Sequence, residues 1–249
     1  MKTIECSSGL AARLIEKSSD YDSLWVSSFC HSTMLGLPDN EIVPLEKRVD
    51  LVREIRRVST KPIIVDIDTG GCIEHLPTIA SWFADAGAYA LIMEDKRFPK
   101  QNSLLDDGKK DLEEVDVFSE KIKAVRKSGA NVQLWARLES LIAKRSKYEA
   151  LIRATAYIEA GAQGIMVHSK TKVDATEVME VGTELKKQFP YITLIAVPTT
   201  YQLPDEHPFD VVITANHLTR ASMYAMEKFL KGESVGLSSV DDIFAICGK

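Results

Sequence analysis

Short apolar runs alternate with longer amphipathic segments eight times along this chain, and that rhythm limits the fold more than any single motif does. The runs lie near residues 3–6, 23–27, 62–67, 88–93, 132–137, 163–168, 192–197 and 209–214. Each has the length of a strand. Between them, apolar residues fall at helical spacing. Leu45, Val49, Val52 and Ile55 share one face, and so do Val115, Phe118, Ile122 and Val125. Pro44 suits the first turn of its helix. Ala-Gly-Ala at 86–88 and again at 160–162 marks places where a helix ends and the chain turns inward. Eight strand–helix units in 249 residues predict an α/β chain folded as one (β/α)8 TIM-type barrel over residues 1–249. A doubly wound open sheet is the alternative. Against it, no Gly-rich dinucleotide fingerprint follows the first strand, and no P-loop is present.

The bulk composition excludes several function classes. The net charge of −5 is spread along the chain with no basic stretch, which argues against nucleic acid. Cys6, Cys30, Cys72 and Cys247 are far apart and form no CxxC pair, so they read as reduced thiols of a cytoplasmic protein, not as a disulfide framework or zinc site. The first residues have no signal-peptide pattern, and no apolar run reaches transmembrane length, so no membrane partner is expected.

In a (β/α)8 barrel the chemistry sits at the C-terminal ends of the strands. Here those ends carry Ser27-Ser28, Asp66-Ile67-Asp68, Glu94-Asp95-Lys96, Arg137-Leu138-Glu139, His168-Ser169-Lys170, Thr199-Thr200 and Asn216-His217. Asp66 and Asp68 are two residues apart, which on an extended strand puts both side chains on one side. Glu94 on the next strand adds a third carboxylate. Three hard oxygen donors without His or Cys suit Mg2+. The competing reading is that they are salt-bridged to Arg137 or a lysine. Arg137 offers a planar fork for a carboxylate or phosphate. His168 is either a hydrogen-bond donor to an anionic substrate or a core histidine. His31, His75 and His207 belong to no constellation and read as surface or structural.

Residues 94–103, Glu-Asp-Lys-Arg-Phe-Pro-Lys-Gln-Asn-Ser, leave a strand end and enter a polar segment with three cations, Lys96, Arg97 and Lys100. Pro99 blocks a regular ladder. A carboxylate at a strand end followed by a cationic loop suits a small anionic substrate; a solvated turn is the plain alternative.

The spacing EDK-x5-NS over 94–103 resembles the fingerprint of phosphoenolpyruvate mutase. With Trp25 to Asp39, Val65 to Gly70, Ala136 to Glu139, His168-Ser169-Lys170 and Ala215-Asn216-His217, it makes the chain similar, over nearly its full length, to the phosphoenolpyruvate mutase/isocitrate lyase superfamily and within it to the mutase family. The resemblance implies Mg2+ bound by Asp66 directly and by Asp68 and Glu94 through waters. It implies substrate oxygens on the amides around Ser27, Ser28 and Phe29, with Arg137 holding one anionic end and His168 beside it. It also implies a gating loop, about 95–111, that brings Lys100, Asn102 and Ser103 over the substrate. Asp39 matches a proposed phosphoryl-accepting nucleophile, or a stabiliser if transfer passes through a metaphosphate-like species. The implied activity is interconversion of phosphoenolpyruvate and phosphonopyruvate, the P–C bond-forming step of phosphonate biosynthesis. The implied assembly is a homotetramer, a dimer of dimers that swaps its last helix, here around 238–246. The alternatives are phosphonopyruvate hydrolysis, a C–C lyase of the isocitrate lyase type, and a barrel that has lost catalysis. The lyase branch carries a loop cysteine that residues 94–103 lack. Three features depart from the family pattern: Gly71-Cys72-Ile73 replaces Tyr-Gly-Asn, Ser28 replaces a glycine, and the C-terminus is short.

Overall fold

The structure is a computed structural model that describes residues 1–105, 111–172 and 174–248. Among these residues the eight predicted strands form: β1 (Lys2–Glu5), β2 (Ser23–Val26), β3 (Ile63–Asp66), β4 (Ala90–Glu94), β5 (Gln133–Leu138), β6 (Gly164–Val167), β7 (Thr193–Ala196) and β8 (Val211–Thr214). All pair in parallel with their sequence neighbours, and β1 also pairs with β8, so the sheet closes into a barrel. The helices are α1 (Gly9–Glu16), α2 (Ser28–Met34), α3 (Leu45–Arg56), α4 (Leu76–Asp85), α5 (Val115–Lys127), α6 (Lys147–Glu159), α7 (Thr176–Gln188), α8 (His217–Leu230) and α9 (Val240–Cys247). Pro44 is the N-cap of α3, one residue earlier than the predicted first turn. None of the helices in the described residues is long and apolar enough to cross a membrane.

Strand alternation divides the core in two. Trp25, Ile64, Ile92, Trp135, Met166, Ile195 and Ile213 fill the barrel interior. Leu24, Ile63, Val65, Leu91, Leu134, Ile165 and Leu194 point outward and pack with the buried helical residues, including Val49, Val52, Ile55, Phe118, Ile122 and Val125. Both predicted helical faces are therefore the inner faces of α3 and α5. Gly164 fits this packing only without a side chain, because a Cβ there would lie 2.6 Å from Trp135 Cδ1.

The two-residue period also sets the site. Asp66 follows the interior Ile64 by two residues, Glu94 follows Ile92, Arg137 follows Trp135 and His168 follows Met166. Their side chains therefore rise from the interior layer at the C-terminal mouth. The far end of the chain is less covered. Thr219 is the buried residue of α8, and Met223, Tyr224, Met226, Phe229 and Leu230 are exposed. α9 lies against α1 of the same chain, where Arg13 and Lys17 donate to the carbonyls of Ile246 and Ala245, each at 3.3 Å.

Candidate active site

One corner of the mouth is built around the turn after β3. Asp68 does not continue the strand, as its spacing from Asp66 predicted. β3 ends at Asp66, and Asp68 sits in the left-handed region with φ 53°. The two carboxylates meet through this turn and not through the pleat: the Asp68 amide donates to Asp66 Oδ1 at 3.0 Å. Gly70 follows with φ 74°, where a Cβ would lie 2.6 Å from Met93 Sδ. Two buried helical cations brace the turn. Arg48 Nη1 of α3 donates to Asp66 O at 2.7 Å and to Asp68 Oδ2 at 2.9 Å. Lys121 Nζ of α5 donates to Thr69 O at 3.0 Å.

The segment from Lys96 to Ser103 folds down over this corner. Lys100 Nζ lies 2.7 Å from Asp68 Oδ1, 2.9 Å from Ser28 Oγ and 3.2 Å from Asp39 Oδ1. Asn102 Nδ2 donates to Asp39 Oδ2 at 2.6 Å. Ser103 Oγ donates to Glu139 Oε2 at 2.7 Å and accepts from Lys96 Nζ. Lys96, Lys100 and Ser103 are buried, while Phe98 and Leu104 face outward. These polar contacts hold the segment. Its neck is paired: the Arg97 amide donates to Asp111 O and the Glu113 amide to Asp95 O, both at 2.9 Å. The predicted gating loop of 95–111 is thus tied at both ends, and its residues 106–110 lie outside the described residues. Below the neck, Asp95 accepts from the Glu139 amide at 2.8 Å and from Tyr157 at 3.0 Å. Burial pushes its carboxyl up to about 6 despite these bonds and Arg153.

Every predicted site residue reaches this mouth, but several have protein partners where the resemblance implied a ligand. Arg137, implied to hold substrate, is bound to carboxylates: Nη1 to Asp66 Oδ2 at 3.2 Å, Nε to Glu139 Oε1 at 2.9 Å, and Nη2 to Glu94 Oε2. His168 Nδ1 contacts Glu139 Oε1 at 2.6 Å. Ser27 is the N-cap of α2, and Ser28 Oγ donates to Asp66 Oδ2 at 2.9 Å. Phe29 lines the pocket that these groups surround, together with Asn102, Ser103, Arg137 and His168; its free volume of about 70 Å3 suits a small molecule. Arg48 and Lys121 had no part in the sequence reading, and Lys96 and Glu139 entered it only as members of the cationic loop and of a strand end. His31 is buried and not on the surface, and burial, then Arg48, lowers its imidazole to about 4.

The electrostatics are those of a packed ionic cluster. Burial by itself would raise the Asp68 carboxyl, but Lys100 and then Arg48 hold it well below the usual carboxylate range. Burial is likewise outweighed at Glu139, by Lys96, His168 and Arg137.

The Mg2+ assignment can be tested against these contacts. Among the described residues no group of three His, Cys, Asp or Glu side chains stands ready for a metal ion. Asp66, Asp68 and Glu94 are each committed to a protein cation, as the salt-bridge reading expected. Even so, the donors fit a hard cation. All are carboxylate oxygens, Glu94 Oε1 is buried without a hydrogen-bond partner, and the Lys100 ammonium stands among them as the cation such a cluster demands. Movement of the loop that carries Lys100 would free Asp68 Oδ1 and clear the ammonium from Glu94 Oε1, while Arg137 stays on Asp66 and on the other Glu94 oxygen.

A closed parallel barrel with an ionic, loop-covered pocket at its C-terminal mouth has the architecture of the barrel enzymes, whose chemistry sits at that face. Residues 4–232 match the phosphoenolpyruvate phosphomutase family, and the chain belongs to that family, within the phosphoenolpyruvate mutase/isocitrate lyase superfamily. It is 33% identical over 233 residues to the phosphoenolpyruvate phosphomutase of Tetrahymena pyriformis, covering 90% of this chain and 76% of that one. It is also 33% identical over 228 residues to the phosphonopyruvate hydrolase of Variovorax sp. (strain Pal2), covering 88% and 77%. A solved structure of phosphonopyruvate hydrolase in complex with oxalate and Mg2+ superimposes with a TM-score of 0.86 at 30% identity, over 100% of this chain and 90% of that one.

Proposed function

We propose that the protein is a Mg2+-dependent phosphomutase that interconverts phosphonopyruvate and phosphoenolpyruvate. The observation that carries this reading is the reach of Asn102 and Lys100 from the loop to the two oxygens of Asp39, at 2.6 and 3.2 Å. Both contacts set the direction of a buried carboxylate beside a small pocket. In the forward reaction the C–P bond of phosphonopyruvate breaks and leaves the pyruvate enolate. The phosphoryl group is accepted by Asp39, or held beside it as a metaphosphate-like species, and then bonds to the enolate oxygen. Either route spreads negative charge over phosphoryl and enolate oxygens, so donors fixed beforehand lower the barrier.

Lys100 and Asn102 supply such donors at Asp39, and Ser103 sits beside them on Glu139. With Nδ1 held by Glu139, His168 has Nε2 left to serve a substrate oxygen. Arg137 is oriented by three carboxylates and lines the same pocket. Asp66, Asp68 and Glu94 would hold Mg2+, which supplies Lewis-acid stabilisation of the developing charge. The amides around Ser27, Ser28 and Phe29 would take substrate oxygens. The covering loop has a second duty, because water admitted to the pocket would hydrolyse the phosphoryl group.

Phosphonopyruvate hydrolysis is the second reading, favoured by the equal identity to a hydrolase. Asn102 and Ser103, in the loop pattern of the mutase, support the first. The exposed apolar faces of α8 and α9 support a further part of the proposal, a homotetramer in which a neighbouring subunit covers them. The activity test is consumption of phosphonopyruvate with Mg2+ while inorganic phosphate is measured: a mutase consumes it without matching phosphate release.

A further inference from the structure

Glu41 carries no assigned role, yet it is where three separate parts of the mouth meet. Its Oε1 accepts from the Thr69 amide at 2.9 Å and from Thr69 Oγ1 at 2.7 Å. Its Oε2 accepts from the Lys100 amide at 2.7 Å. One carboxylate therefore joins the turn that presents Asp68 to the loop residue whose ammonium lies on Asp68. It also belongs to the short segment that carries Asp39, two residues away, to which Asn102 and Lys100 bind. Two of the joined pieces are held in uncommon backbone: Glu41 has φ 62° and Asp68 has φ 53°. Left-handed conformations of non-glycine residues persist where surrounding contacts over-determine them, and they gather at functional sites. From the other side, Lys121 donates to Thr69 O at 3.0 Å, a second contact that restrains the turn when the loop lifts.

We propose that Glu41 is a positioning residue that couples closure of the Lys96–Ser103 segment to the geometry of the Asp68 turn. When the loop is down, the carboxylate is satisfied at both oxygens and the turn, the Asp39 segment and Lys100 share one frame. When the loop lifts, Oε2 loses its bond to the Lys100 amide. The coupling is chemical as well as mechanical, because the backbone of Lys100 is latched at Glu41 while its side chain enters the carboxylate cluster. This inference rests on the reading that the loop gates the pocket, but its principal test requires no turnover.

The variants are Glu41→Gln and Thr69→Val. A glutamine presents one oxygen and one amide group, so it cannot accept from both Thr69 and the Lys100 amide. Thr69→Val removes one anchor of Glu41 without touching the loop. The measurement is the rate of limited trypsin cleavage at the Lys100–Gln101 bond in the free protein, read by mass spectrometry, alongside the melting temperature. Cleavage there requires the buried Lys100 side chain to leave its site, so the rate follows the open population. Loss of one charge-assisted hydrogen bond should raise the rate roughly tenfold in Glu41→Gln. Thr69→Val should raise it roughly threefold, because the Thr69 amide still holds Glu41 Oε1 and the Lys100 bond is kept. Both should leave melting within a few degrees of the parent. An unchanged rate in Glu41→Gln would overturn the proposal. So would an unchanged rate in Thr69→Val, which would reduce Glu41 to a local loop contact, or a general rise in cleavage along the chain with a large fall in melting temperature. As a second readout, Glu41→Gln should lower kcat on phosphonopyruvate more than it raises KM. If neither protein turns over this substrate, the functional reading fails while the cleavage rates still decide the role of Glu41.

Discussion

Replacing Arg48 by methionine isolates the buried ionic frame beneath the site. Arg48 is 0% exposed, and its Nη1 serves both Asp66 O at 2.7 Å and Asp68 Oδ2 at 2.9 Å. Methionine keeps most of the stem and its packing, so the loss is chiefly of charge and donors. Breaking one side of a buried ion pair costs about 3–5 kcal/mol, because the remaining charge is left without compensation. Here Lys100 still faces the other oxygen of Asp68 at 2.7 Å, which places the expected cost at the low end, about 3 kcal/mol. For a domain of this size each kcal/mol lowers the melting temperature by roughly 2–4 °C, so a fall of about 6–12 °C is predicted. The assay is thermal unfolding followed by circular dichroism in chelator-treated buffer. The double variant Arg48→Met/Asp68→Asn removes both charges and should recover about 1 kcal/mol or more relative to the sum of the two single changes. A fall below about 2 °C in Arg48→Met, or strict additivity in the double variant, would refute the assignment of Arg48 as the counter-charge of this turn.

Four further outcomes are expected. Asn102→Ala should lower turnover strongly with a smaller change in KM and divert residual chemistry to free phosphate, measured as the phosphate-to-phosphoenolpyruvate ratio; near-normal turnover and ratio would make the loop a mere connection. Asp66→Ala should abolish an activity that requires Mg2+ or Mn2+ while leaving the circular dichroism spectrum intact; activity retained by this variant in a chelator would remove the metal assignment. Gly164→Ala should destabilise the barrel by roughly 1–3 kcal/mol, because its Cβ would meet Trp135 Cδ1 at 2.6 Å and Thr193 O at 3.1 Å; denaturant titration with an unshifted midpoint would contradict that packing. Light scattering at micromolar concentration should give a tetramer, and a stable monomer would leave the apolar face of α8 and α9 unexplained.

The barrel was legible because its two periods are written plainly in the chain. Their places at strand ends marked Asp66, Glu94, Arg137 and His168 for the mouth, and in the structure each follows an interior residue by two positions. The same rule failed at Asp68, where the strand had already ended and a left-handed turn brings the carboxylate back. Arg48 and Lys121 were readable in principle. Arg48 lies three residues after Leu45 and four before Val52, and Lys121 lies three after Phe118 and four before Val125, so each is a cation on an apolar helical stripe. Such a cation is buried only if something pairs with it. Glu41 gave no such signal, because it lies in irregular chain where no period applies and its partners are 28 and 59 residues away. The loop's polar anchors were hidden for a related reason. Composition shows how little apolar surface the loop has, but not which carboxylates its cations and amides will meet.

The central claim, that this pocket moves a phosphoryl group within one bound molecule, is tested most directly by phosphorus NMR of the protein with Mg2+ and phosphonopyruvate. The phosphonate resonance should give way to that of phosphoenolpyruvate, with little inorganic phosphate. Conversion to inorganic phosphate alone would assign the hydrolase reaction instead, and an unchanged spectrum would contradict catalysis at this site.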